Sequence, residues 1–247
     1  MEIHIRMNKL KKIRKQINDL DDTILKLINS RGKLALKIGG IKRKEKNEAH
    51  LFRPERQAEI IKRLIKKKGN IISGSDIFNL WKTIFFIQTK MQGEVEYLYT
   101  TSIKVKDKEE AKNFFGDEVK LKKVSSIKAG FSYIKNKQNS ILLLKYPNKD
   151  IKTQWLHTLV NRSLYVVASI PLILRNDDKP QLLIVSKNKP IVEGENIFLY
   201  LSVRKTKKIG VKLLYSKRNV FVYQSTSLIK SKELKYLGAF PLNVIRN

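Results

Sequence analysis

The chain contains no cysteine and only three histidines, and it carries 22 acidic side chains against 52 basic ones. Without cysteine there is no disulfide framework, no thiolate nucleophile and no Cys-ligated zinc, and a reducing compartment is expected. His4, His50 and His157 lie far apart in sequence, which gives no basis for a metal cluster or a His-centred triad. Residues 1–15 alternate charged and apolar positions and lack a signal-peptide core. The longest apolar run, around residues 163–174, is about twelve residues, short of the ~20 needed to span a bilayer. A cytoplasmic soluble protein without a metal or a membrane partner is the expectation.

The 247 residues, 42% of them hydrophobic, suffice for one large or two small domains with real cores. The net charge of +30 would ordinarily direct attention to nucleic acid. Two features argue otherwise. Lysine outnumbers arginine 40 to 12, and the charge is spread evenly, +13 over residues 1–95 and +17 over residues 96–247. Nucleic-acid binders more often gather charge into a patch or tail with interleaved aromatics. The excess still favours capture of a small dianion.

Residues 8–93 read as three helices. The first is expected over 8–46, where Leu10, Ile13, Ile17, Leu20, Ile24, Leu27, Leu34, Ile38 and Ile41 recur in steps of three, four and seven. Arg31 occupies the place after Leu27, before the series resumes at Leu34. A guanidinium where the pattern asks for Leu or Ile needs an anion, or it suffers the cost of desolvation. No carboxylate sits three or four residues away to supply one. A helix roughly 57 Å long also exceeds the width of a small domain and must pack along a partner; Gly39-Gly40 marks a soft point in it rather than an end. The second helix opens at Arg53-Pro54, with proline in the favoured first turn, and buries Ile60, Ile61, Leu64 and Ile65. The third is announced by Ser73-Gly74-Ser75-Asp76, turns Ile77, Leu80, Trp81, Ile84 and Phe85 inward, and stops at Gly93.

The cationic positions have a definite geometry. From Arg31 to Lys42 is eleven residues, about 20° from three full turns, so the two share a face roughly 16 Å apart. From Arg14 to Arg31 is seventeen residues, about 100° off that face. Arg14 therefore cannot easily enter the same pocket from the same straight helix. Gln88 and Gln92, four apart, stack on one face of the third helix. Taken singly, each has a bland alternative: a solvated charge, a helix start with first-turn acidity, an exposed polar stripe.

Together Arg14, Asp21, Arg31, Gly39, Lys42, the string Arg53-Pro54-Glu55-Arg56 and Gln92, in this order, resemble an all-helical chorismate mutase. The resemblance implies an entwined homodimer that needs no cofactor. It implies that Arg31, Arg56 and Arg14 hold the two carboxylates of chorismate, with Arg14 donated by the other subunit. Lys42 and Gln92 would contact the ether oxygen, and Gln57 the ring hydroxyl, at a place where many members have glutamate. Gln88 falls at a further pocket-lining position, and Arg53 where some members have aspartate. Lys42, Gln92 and Arg31 are the expected catalytic groups.

Beyond residue 96 the texture becomes α/β. Strands are expected over 97–105, 119–124, 140–146, 164–174 and 181–186, with helices over 108–115, 126–136 and 153–160. Residues 111–174 faintly resemble the substrate domain of prephenate dehydratases but depart from its motifs, with Asn148-Lys149-Asp150 after Pro147 and Pro180-Gln181 before a strand. The last fifty residues resemble an amino-acid-binding ACT domain, read as strand, helix, strand, strand, with Gln224-Ser225-Thr226-Ser227 in place of the usual motif. The expected fold class is α plus α/β, divided into a helical domain 1–95, a dehydratase-like region 96–190 and an ACT-like region 191–247. The expected function is the rearrangement of chorismate to prephenate for phenylalanine and tyrosine synthesis. The alternatives are a bifunctional mutase/dehydratase, a related lyase acting on isochorismate, and a non-enzymatic basic dimer binding nucleic acid.

Overall fold

The computed structural model describes residues 2–44, 50–147, 155–174, 179–217, 219–242 and 244–245. The chain falls into two compact units, Met1–Ala49 and His50–Asn247.

The described residues of the first unit form one helix, α1 (Glu2–Lys44), of 43 residues. It begins earlier than the apolar spacing suggests and continues through Gly39-Gly40 without a break. The expected end at 46 lies outside the described residues. The nine seam residues from Leu10 to Ile41 are all between 44% and 64% exposed.

The second unit begins with α2 (Pro54–Lys67) and α3 (Gly74–Gln92). Pro54 sits at the first helical position, where its missing N–H leaves no bond unmade. A capping box starts α3: the Asp76 N–H donates to Ser73 Oγ at 3.1 Å, and the Ser73 N–H donates to Asp76 Oδ2 at 2.8 Å. Gly93 ends the helix at φ +157°, and its N–H returns to the Thr89 carbonyl.

After β1 (Glu96–Tyr99) the elements are α4 (Val105–Phe115), β2 (Leu121–Lys123), α5 (Ile127–Asn136), β3 (Ser140–Lys145), α6 (Trp155–Asn161), β4 (Tyr165–Ile170) and β5 (Ile173–Leu174). Then follow β6 (Leu182–Ser186), β7 (Asn196–Ser202), β8 (Lys212–Lys217), β9 (Val220–Ser225), β10 (Lys235–Pro241) and β11 (Val244–Ile245). Among the described residues nine strands form one mixed sheet in the order β2-β1-β3-β6-β4-β10-β7-β9-β8, and β11 pairs with β5. Strands β1, β2 and β3 run parallel, β6 runs against both β3 and β4, and β4 meets β10 in parallel at Gly238↔Val166.

The alternation of side chains divides the core into two layers. Tyr97, Ile141, Leu143, Leu182 and Ile184 point to one face, where Ile61, Ile77, Phe85, Ala111, Phe114 and Phe115 of α2, α3 and α4 cover them. Leu98, Leu142, Leu144, Leu183 and Val185 point to the other, beneath Phe131 and Ile134 of α5 and Trp155, Leu156 and Leu159 of α6. Strands buried on both faces read as continuous apolar runs, and Ile141–Leu144 and Leu182–Val185 do so.

The structure differs from the sequence expectation in several places. The strand expected over 97–105 stops at Tyr99, because Asp107 draws the chain into α4 by accepting the Lys104 N–H at 2.7 Å. The run 164–174 is broken at Pro171 into β4 and β5. Compactness divides the chain after Ala49, with α2 and α3 forming one layer of the sheet unit, and the sheet runs unbroken across residue 190. The strand–helix–strand–strand order of the ACT-like tail is corrected: described residues 196–241 form four strands and no helix. The segment between β7 and β8 is instead tied to β9, with the Thr206 N–H donating to the Tyr223 hydroxyl at 2.8 Å.

Candidate functional site

The expected site residues distribute over both units. Arg14, Arg31 and Lys42 stand on α1, Arg14 exposed and Arg31 half-buried. Because α1 is uninterrupted, its 100° per residue keeps the Arg31 and Lys42 positions on one face and Arg14 off it. The side chain of Lys42 lies outside the described residues.

Arg53, Arg56, Gln57, Gln88 and Gln92 stand in the second unit. Arg53 precedes α2, and its Nε donates to Glu55 Oε1, while its guanidinium lies 3.8 Å from Glu193. Glu55 is 6% exposed, and burial pushes its carboxyl above the ordinary 4.5, with Arg53 pulling the other way. One turn on, Arg56 is 56% exposed and bonded to Glu59. An exposed pair three residues apart on a helix contributes little, so Glu59 is readily replaced by another carboxylate. Gln57 is half-buried and lines a small cavity of about 20 Å³ with Phe52, Phe78, Phe85, Phe114 and Lys82.

On α3, Gln88 is 5% exposed, and its Nε2 has no hydrogen-bond acceptor among the described residues. Its main-chain oxygen accepts from Gln92 Nε2 at 3.2 Å, one turn further along the helix. An unsatisfied buried amide N–H costs about 1–3 kcal/mol. The structure thus brings together Gln88 with Gln92, and Arg53 with Arg56 and Gln57 on adjoining turns.

Sequence reasoning missed the anchoring of α2 by the segment before β7. Lys62 Nζ donates to Glu195 Oε2 at 3.2 Å, alongside the Arg53–Glu193 approach. Nothing in the spacing of residues 133 apart could signal it. The tripeptide Asn148-Lys149-Asp150 lies outside the described residues. Among the described residues no group of three or more His, Asp or Glu side chains could hold a metal ion, and no helix is long and apolar enough to cross a membrane.

Residues 13–92 match the chorismate mutase type II family. That mutase-type segment takes in most of α1 together with α2 and α3. The chain is also 27% identical over 136 residues to the bifunctional chorismate mutase/prephenate dehydratase of Aquifex aeolicus (strain VF5). The match covers 53% of this chain and 37% of the relative's length. Among solved structures the chain is similar to GqqA, described as a novel type of quorum quenching acylases, at 10% identity and a TM-score of 0.41, over 61% of this chain and 96% of that one.

Proposed function

We propose that the chain is a chorismate mutase, acting in the cytoplasm as a cofactor-free homodimer whose pocket is built from two copies. The observation that carries the reading is the ordered set of cationic and amide positions within the matched segment, among them the buried Gln88, whose Nε2 has no acceptor among the described residues. Arg31 and Arg56, with Arg14 from the second copy, hold the two carboxylates of chorismate, and Arg53 borders that pocket. Lys42 and Gln92 address the ether oxygen, Gln57 the ring hydroxyl, and Gln88 lines the pocket wall.

The chemistry asks little of a protein beyond placement and charge. The rearrangement is intramolecular, and breaking of the C–O bond runs ahead of C–C bond formation. Holding the compact conformer supplies the entropic part. A fixed ammonium and an amide N–H stabilise the negative charge that grows on the ether oxygen. No nucleophile, general base or redox group is required.

Dimerisation is supported by the exposure of nine seam residues on α1, each at 44% or more. A lone helix in water would not leave such a stripe uncovered, and a second copy offers the same stripe in return. It also resolves the 100° conflict between Arg14 and Arg31. Residues 96–190 and 191–247 are proposed as a worn dehydratase-like region and a tail appended to it, whose contacts with α2 support the helix that carries Arg56 and Gln57. The purified full chain is expected to consume chorismate, followed by its loss of absorbance. Arg14→Ala and Arg31→Ala should each be inactive, and a mixture of the two should regain part of the activity. No turnover by the unaltered chain overturns the mutase reading; turnover without recovery on mixing overturns the shared pocket.

A further inference from the structure

A cleft of about 500 Å³ lies between the last turns of α3, the start of β1 and the segment before β2. Pockets that hold small molecules have volumes of roughly 300–1,000 Å³. Its floor is apolar: Phe86, Val95, Tyr97 and Val119, the last three no more than 9% exposed. Gly116, at φ +124°, lets the Phe86 ring close down on the chain, since a Cβ there would stand 3.1 Å from Phe86 Cγ.

The rim is unlike the rest of the protein in charge. Across the chain, basic residues outnumber acidic ones 52 to 22, yet this cleft is lined by three lysines (Lys90, Lys120, Lys122) and three glutamates (Glu94, Glu96, Glu118). Four of the six are already paired. Lys90 Nζ lies 3.9 Å from Glu118, and Lys122 Nζ lies 3.7 Å from Glu96, whose carboxylate also accepts the Tyr133 hydroxyl at 2.7 Å. Glu94 and Lys120 are exposed, and neither has a partner among the described residues. One open carboxylate and one open ammonium therefore flank an aromatic floor.

We infer that this cleft binds a small zwitterion bearing a bulky apolar group, an α-amino acid with an aromatic or branched side chain. Its ammonium meets Glu94, its carboxylate meets Lys120, and its side chain lies over Phe86 and Tyr97, where aromatic contact adds to burial. Local neutrality disfavours a dianion or a polyanion here, which sets this site apart from the cationic pocket proposed for chorismate. A neutral solute would gain neither charge contact.

The test is calorimetric titration of the full chain with L-phenylalanine and L-leucine, beside 3-phenylpropanoate and phenethylamine, which each lack one of the two charges. One zwitterion should bind per chain, more tightly than either analogue. Glu94→Gln and Lys120→Gln, both at exposed positions, should each weaken it by on the order of fivefold, the scale of an exposed ion pair. Glu94→Gln should leave 3-phenylpropanoate unaffected and Lys120→Gln should leave phenethylamine unaffected. Absence of binding at millimolar concentration, binding indifferent to both substitutions, or equal affinity for the singly charged analogues each overturns the proposal. Binding is read without turnover, so failure here leaves the mutase reading untouched, and the converse holds.

Discussion

Gly238 is the position where a single added methyl group should do most damage. It joins β10 to β4 through its register with Val166, and β-bulges on both sides bring the two backbones together there. A Cβ at Gly238 would lie 2.5 Å from the Val166 nitrogen and closer still to its oxygen, and the φ of +137° is one that L side chains rarely adopt. Backbone cannot rotate aside as a flexible side chain can, so the strands must part. The torsional strain alone is about 1–3 kcal/mol. With the lost pairing, Gly238→Ala should cost about 4 kcal/mol or more, a loss reserved for a few mechanisms of this kind. At about 2–4 °C per kcal/mol for a chain of this size, the melting temperature should fall by at least ~8 °C. Gly194 supplies the control: its φ is +65° and a Cβ would meet nothing within 4 Å, so Gly194→Ala should cost only about 1–2 kcal/mol. Because α2 packs against β10 and β4, the Gly238 variant should also lose chorismate turnover before it melts. Thermal unfolding followed by circular dichroism decides the matter. A Gly238→Ala chain melting within ~3 °C of the unaltered one, or no lower than Gly194→Ala, would refute the reasoning.

Two further outcomes are expected. Lys42→Ala should lower chorismate turnover by ~10²–10³, the usual cost of removing one donor to a developing oxyanion, whereas Lys44→Ala should change it little; equal effects would remove Lys42 from its assigned role. Burial of Glu55 raises its carboxyl above 4.5, so the folded chain holds that proton to a higher pH than the unfolded one does. Its contribution to stability therefore declines as pH rises from about 4.5 through the folded value. Denaturation midpoints measured across that window should show the decline in the unaltered chain and a flatter profile in Glu55→Gln. An identical slope in both would assign the effect to another group.

The helices were legible because their signals are local. Apolar steps of three and four, Pro54 in a first turn, and Ser73 three residues before Asp76 each act within one or two turns of the chain. The sheet was legible as strands but not as an order. Runs such as 141–144 and 182–185 announce burial on both faces, yet nothing in them says that β6 lies between β3 and β4. Gly238 illustrates the same limit. A glycine inside an apolar strand hints at a bulge or a close approach, but Val166, 72 residues earlier, is identified only by the fold. The helix expected in the tail failed for a related reason: a lysine-rich segment has good helix propensity, and that weak preference is overridden when Tyr223 and its neighbours hold the backbone as a loop.

The candidate site shows where local reading ends and assembly begins. The amphipathic pattern of α1 establishes that a stripe of Leu and Ile requires cover and that Arg31 interrupts it with a charge; it does not name what lies opposite. Exposure of the nine seam residues at 44–64% carries the same demand into three dimensions. Gln88 presents the demand in polar form, a buried amide with a hydrogen to donate and no acceptor among the described residues. An uncovered apolar stripe and a buried unsatisfied donor each lower stability on their own. A second α1 would answer the first. If the guanidinium of Arg14 reaches chorismate from the second copy, dimerisation and substrate binding are consequences of one arrangement, and neither Arg14→Ala nor Arg31→Ala can be rescued except by the other.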